Sequence, residues 1–192
     1  MKRTLALLLA FVLVIGATVA GTLAYLTDTS KEVKNTFTIG KVGIDLHETE
    51  VGSDTISYGN TYALIPGTTY EKDPVVSVDE GSEDCYLFVK FIGPDPKPEW
   101  LDYTTTLDST NGWTPVAGET NVWYREVNKT DTTRSWKLLV DDEVTVTDQL
   151  TQDNMPAANA TPTLTFTAYA CQRANLSVTE AWAQVKDLDP EA

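Results

Sequence analysis

Nucleophilic and metal-assisted catalysis both draw on imidazole and thiolate, and this chain supplies little of either. Its single histidine is His47. The run His47-Glu48-Thr49-Glu50 lacks the i, i+4 histidine pair with which a zinc helix holds its metal. A serine or cysteine nucleophile would need His47 as its base, and no G-x-S-x-G turn presents a serine. These residue types predict no catalytic group, no metal centre and no cofactor. The chain is not expected to be an enzyme, and a secreted metallopeptidase is the reading furthest from its residues. His47 itself follows a predicted strand and reads as a solvated strand-end residue.

The two cysteines, Cys85 and Cys171, both fall in predicted strands. In an exported protein they can pair. Closing so long a loop would stabilise the fold by roughly 3–5 kcal/mol in the chain-entropy model. Two buried free thiols fit the sequence equally well, so both states stay open. Carboxylates cluster at Asp79-Glu80-Glu83-Asp84 and at Asp141-Asp142-Glu143. Oxygen ligands of this kind suit Ca²⁺, but neither cluster has EF-hand spacing, and both read as solvated acidic loops. Trp100, Tyr103, Trp113, Trp123, Tyr124 and Trp136 crowd the middle third. On an exposed face they would stack on sugar rings, making a monomeric extracellular glycan-binding module the alternative function. At alternating strand positions they would be core.

The charge narrows the partners. Lys and Arg number 14 against 28 Asp and Glu, a net −14. Phosphate backbones need a basic face, so no nucleic acid is expected as a partner. An anionic membrane surface is excluded on the same ground, and the charge mainly favours solubility.

The elements that must position these side chains begin with an export signal. Lys2 and Arg3 precede the apolar run Leu5–Ala20, and Thr22 and Ala24 place small residues at −3 and −1 of a cut between Ala24 and Tyr25. The same stretch, Leu5–Leu26, is uncharged and long enough to span a bilayer as an uncleaved anchor. Tyr25–Lys34 is polar with no helical period, and Asn35–Leu46 alternates as a first core strand with a register shift at Gly40-Lys41.

The rest reads as short strands between turn signals. Thr68–Glu71 and Val75–Val78 read as one edge strand broken at Asp73-Pro74. Cys85–Ile92 (CYLFVKFI) is the most apolar run and is expected at a sheet centre. Trp113–Val116 and Val122–Val127 read as a hairpin with Gly118 in its turn. Trp136–Val140 and Glu143–Thr147 are separated by Asp141-Asp142, and Thr163–Cys171 alternates cleanly. One helix is signalled, by the capping box Ser177-Val178-Thr179-Glu180 and the stripe Val178, Ala181, Trp182, Val185. The pattern predicts an all-β fold: an antiparallel β-sandwich, jelly-roll-like, with an N-terminal signal or transmembrane helix and a short C-terminal helix.

The run Gly21–Leu46, GTLAYLTDTSKEVKNTFTIGKVGIDL, resembles the processing region of the TasA/camelysin family, exported proteins of Gram-positive bacteria. Members carry an apolar segment, a small-residue cut just before an aromatic and an Asp, then NTFTxGxxxxxL. Here the aromatic is Tyr25 and the Asp is Asp28, while Asn35, Thr36, Phe37, Gly40 and Leu46 match the later part. Pro66-Gly67, the strand Cys85–Lys90, Tyr169-Ala170-Cys171-Gln172 and Ala181-Trp182-Ala183 resemble later landmarks in pattern.

The resemblance implies removal of residues 1–24 as a signal peptide by a SipW-type signal peptidase. It implies an extended segment at 25–35 and a jelly-roll domain at 36–192. It further implies a secreted, extracellular protein of the cell surface or biofilm matrix, transiently membrane-inserted before cleavage. Such a protein would assemble as a head-to-tail homopolymer by donor-strand exchange, with Tyr25, Leu26 and Val33 as the donor's apolar anchors and matrix polysaccharide as a further partner. The physics is consistent: an unpaired sheet edge accepts an extended segment by main-chain hydrogen bonding, and a head-to-tail contact that does not close makes filaments.

Overall fold

The computed structural model describes residues 41–157 and 160–188. The expected signal peptide and extended segment lie outside them, and so do Ala24, Tyr25, Leu26, Val33, Asn35, Thr36, Phe37 and Gly40. Among the described residues, no helix is long and apolar enough to cross a membrane.

The elements run β1 (Ile44–Thr49), β2 (Ile56–Ser57), β3 (Thr68–Glu71), β4 (Val75–Val78), β5 (Cys85–Ile92), β6 (Leu101–Asp102), β7 (Thr114–Pro115), β8 (Val122–Val127), β9 (Ser135–Lys137), β10 (Glu143–Val146), β11 (Thr165–Gln172) and α1 (Val178–Val185). The strands form three sheets, ordered β2-β1-β4-β9, β3-β10-β6 and β11-β5-β8-β7. Every strand pairing is antiparallel. Among the described residues the chain is therefore mostly β with one short helix, consistent with an all-β sandwich.

β5 explains the arrangement. It pairs with β11 on one side and β8 on the other. Its side chains alternate between two cores: Cys85, Leu87 and Val89 join Val76 and Val78 of β4, while Tyr86 and Phe88 join Ala181, Trp182 and Val185 of α1. A strand buried on both faces needs an unbroken apolar run, and the buried residues Cys85–Val89 supply one before Lys90. A third core gathers Trp100, Leu101, Val144 and Val146 on the β3-β10-β6 sheet.

The helix begins where its cap predicts. The Ser177 hydroxyl accepts from the Glu180 N–H at 3.4 Å, and the Ser177 N–H donates to Glu180 Oε2 at 2.9 Å. The β7–β8 hairpin also forms, with Gly118 at φ +82° in its turn.

Three strand readings change. β1 runs on past Leu46 to Thr49, which puts His47 inside the strand opposite Val75 rather than beyond its end. Thr68–Glu71 and Val75–Val78 are not one broken edge strand: β3 pairs with β10, while β4 lies between β1 and β9 in a different sheet. The residues Lys72–Pro74 carry the chain across. Trp136–Val140 shortens to β9, and a 3₁₀ turn at Val140–Asp142 delivers the chain to β10 in the β3-β10-β6 sheet. The two crossovers are tied together, the Lys72 N–H donating to the Asp142 carbonyl at 2.7 Å.

Candidate functional site

Sheet edges are the first place to look for partner contacts, because their backbone groups are unspent. Among the described residues the edge strands are β2, β3, β6, β7, β9 and β11. Five of them are short or guarded. β2 has two residues, β3 carries Glu71, β6 carries Asp102, β7 carries Pro115 and β9 carries Lys137. β11 is different: TFTAYACQ is eight residues long with no charge and no proline. Its Phe166 and Ala168 pack on the β4–β5 core, and Tyr169 and Cys171 pack on α1. Both faces are thus held, while the edge away from β5 has no ladder partner among the described residues.

Leu46 is the one residue of the matched motif within the described chain, and it packs inward on the same core. Alternation along β1 then points Glu48 inward as well. Glu48 is buried against Lys72, whose Nζ donates to its Oε2 at 2.6 Å. The pair lines a cavity of about 470 Å³ bounded by β1, β3, β10, the start of β11 and the strap Ser57–Leu64. Tyr62 and Tyr70 stand in its wall with ring centroids 5.4 Å apart, and Lys72 Nζ lies 5.7 Å from the Tyr62 ring centre. Both tyrosine hydroxyls are buried without a hydrogen-bond partner.

Burial, reinforced by the Glu48 carboxylate, pushes the Tyr62 phenol up to about 12. The Asn60 side chain lies near enough to pull the other way, but it does not reach hydrogen-bond geometry. A phenol whose folded pKa exceeds its usual 10.0 favours the native state fully below pH 10, and that contribution is lost as pH rises from 10 towards 12. Tyr62→Phe removes a hydroxyl that nothing bonds. Urea titrations of this variant should show stability at pH 7 unchanged or higher by up to about 1 kcal/mol. They should also show a smaller loss between pH 7 and pH 11 than in the parent; an equal loss in both proteins would refute the assignment.

Cys85 and Cys171 are both free and buried. The ladder sets Cys171 opposite Tyr86 and Gln172 opposite Cys85. Facing residues share a side of the sheet, so the two thiols point into different cores and the bridge left open by the sequence does not form. Burial raises both thiols, Cys85 to about 11.

The aromatics do not make an exposed stacking face. Trp100 and Trp113 are 5% and 1% exposed. Arg125 sets its guanidinium against both Trp113 and Trp136, 4.2 and 4.4 Å from the two ring centres, and burial lowers it to about 10. Tyr103 packs edge-on against Phe91 and under Lys97. Trp123 and Tyr124 are half-buried in β8.

The acidic loops hold cations of the protein itself. Glu83 binds Lys129 at 2.7 Å, Asp84 faces Arg173 at 3.6 Å, and Asp142 binds Lys137. His47 Nδ1 meets Asp45 Oδ2 at 2.5 Å on the outer face of β1. Among the described residues, no three His, Cys, Asp or Glu side chains group as metal ligands. Neither the β11 edge nor the Glu48–Lys72 cavity was singled out from sequence. The uncharged, proline-free run of β11 was the available signal for the first. Searches against protein-family models, curated proteins and solved structures gave no match to this chain.

Proposed function

We propose that the chain is an exported structural subunit of a bacterial surface or biofilm matrix. It is cut between Ala24 and Tyr25 and polymerises when the freed segment of one copy adds as a strand to the next. In this reading the sandwich is a jelly roll, and the product is an extracellular homopolymer. The observation that carries it is the β11 edge, long and uncharged where every other described edge is short or guarded. Soluble proteins blunt such edges unless something is meant to pair with them. Main-chain pairing there accepts an extended segment with few large anchors, and Tyr25–Lys34 has that composition.

The test compares two purified forms by electron microscopy, one beginning at Tyr25 and one lacking Tyr25–Lys34. Fibres are expected from the first and dispersed monomers from the second. Equal fibre formation by both, or none by either, would overturn the proposal.

A further inference from the structure

Beside Glu48 and Lys72 lies a cavity whose size, about 470 Å³, falls within the range of small-molecule sites. Its floor is apolar, from Leu46, Leu101, Val144 and Phe166. Among its polar groups the one carboxylate and the one ammonium form a matched pair. Glu48 and Lys72 expose only 7% and 11% of their side chains and bond each other. Lys72 spends one of its ammonium hydrogens on Glu48, and Glu48 bonds through one oxygen. Donors and an acceptor are left side by side in a site of zero net charge.

That combination selects a ligand class. An acidic ligand meets the Glu48 carboxylate, and a basic one meets the Lys72 ammonium. A hydroxyl both donates and accepts, so neighbouring hydroxyls on one ring answer the pair without adding charge. The mouth supplies the other half of sugar recognition. Tyr58 lines it and is 83% exposed, the most exposed of the large apolar side chains among the described residues. An aromatic ring held in water offers a face to the C–H side of a pyranose. Ser57, Asn60 and Thr61 add short polar groups around it.

We infer that this cavity binds a neutral sugar unit of a polysaccharide, stacked on Tyr58 and hydrogen-bonded to Glu48 and Lys72. The site differs from the tryptophan cluster, which is buried, and the inference does not depend on fibre formation.

Calorimetric titration of the purified full chain tests it with cellohexaose, maltohexaose and chitohexaose as neutral probes. Oligogalacturonate serves as the acidic probe, and a synthetic peptide of residues 25–40 as the competing ligand class. At least one neutral hexamer should bind with a Kd of about 1 mM or tighter. Tyr58→Ala should weaken that binding about ten-fold while leaving circular dichroism and melting temperature unchanged. Oligogalacturonate should bind at least about ten-fold more weakly than the best neutral probe. Absence of binding by all three neutral hexamers, or undiminished binding by Tyr58→Ala, overturns the site. Binding of the peptide alone also overturns it, and leaves the fibre proposal standing.

Discussion

Lys72→Met alone should destabilise the fold by about 3–5 kcal/mol, because it strands the Glu48 carboxylate in a buried site with no cation. The converse single change, Glu48→Leu, should cost a similar amount by stranding the Lys72 ammonium. The double variant Glu48→Leu/Lys72→Met replaces the pair with apolar side chains of comparable size and should fall within about 1 kcal/mol of the parent. The reason lies in the burial: both side chains are nearly out of water and bond each other at 2.6 Å. Their mutual attraction offsets a desolvation cost that each alone would carry in full. Denaturant titration at pH 7 measures all three variants, and a melting point lower by about 10 °C should accompany each single change. A cost below about 1 kcal/mol for either single variant would show the pair to be solvated rather than a buried ion pair.

Thr167→Glu should abolish fibre formation without weakening the subunit. Thr167 faces Lys90 across the β5–β11 ladder. A glutamate there gains an opposite-charge cross-strand partner worth about 0.2–1 kcal/mol within the monomer. It also places on β11 the kind of charge that guards β3 and β6. A chain already at −14 then meets a new negative charge where strand addition would occur. Thr167→Val, uncharged and strand-favouring, is the control and should assemble as the parent does. The measurement is light scattering with electron microscopy, alongside the melting temperature of each variant. Fibres from Thr167→Glu at the parental rate would remove the β11 edge from the assembly.

Local signals were legible where one element decides its own structure. The Ser177–Glu180 box and the stripe ending at Val185 set α1 because a helix cap and a 3.6 period are short-range physics. Cys85–Ile92 signalled a central strand because a short, aromatic- and β-branched-rich apolar run bounded by loop residues suits a sheet interior. Sheet membership was not legible. Nothing in Lys72-Asp73-Pro74 distinguishes a break within one strand from a passage between sheets, since the choice depends on β10, which lies far along the chain.

The end of β1 failed for a related reason. Ile44 and Leu46 alternate inward and Glu48 continues the alternation, yet a carboxylate reads as solvent-facing until its lysine is known. That lysine sits 24 positions away and in a connection, where no periodicity marks it. The thiols show the same limit. Strand assignment for Cys85 and Cys171 was correct, but a one-residue offset in register decides whether two side chains share a face.

The place of β5 bears on the timing of folding. Its partners come late, β8 at Val122–Val127 and β11 at Thr165–Gln172, so 72 residues separate Ile92 from the strand that completes it. At a synthesis rate of about 5–20 residues per second, the most apolar strand waits several seconds for its second neighbour. Long-range closure of this kind is also slow in itself, because the intervening chain must be ordered before the pairing is rewarded. During that interval the vulnerable stretch is Cys85–Ile92. Once Thr165–Gln172 arrives, the vulnerability passes to its own outer edge, which has no ladder partner among the described residues.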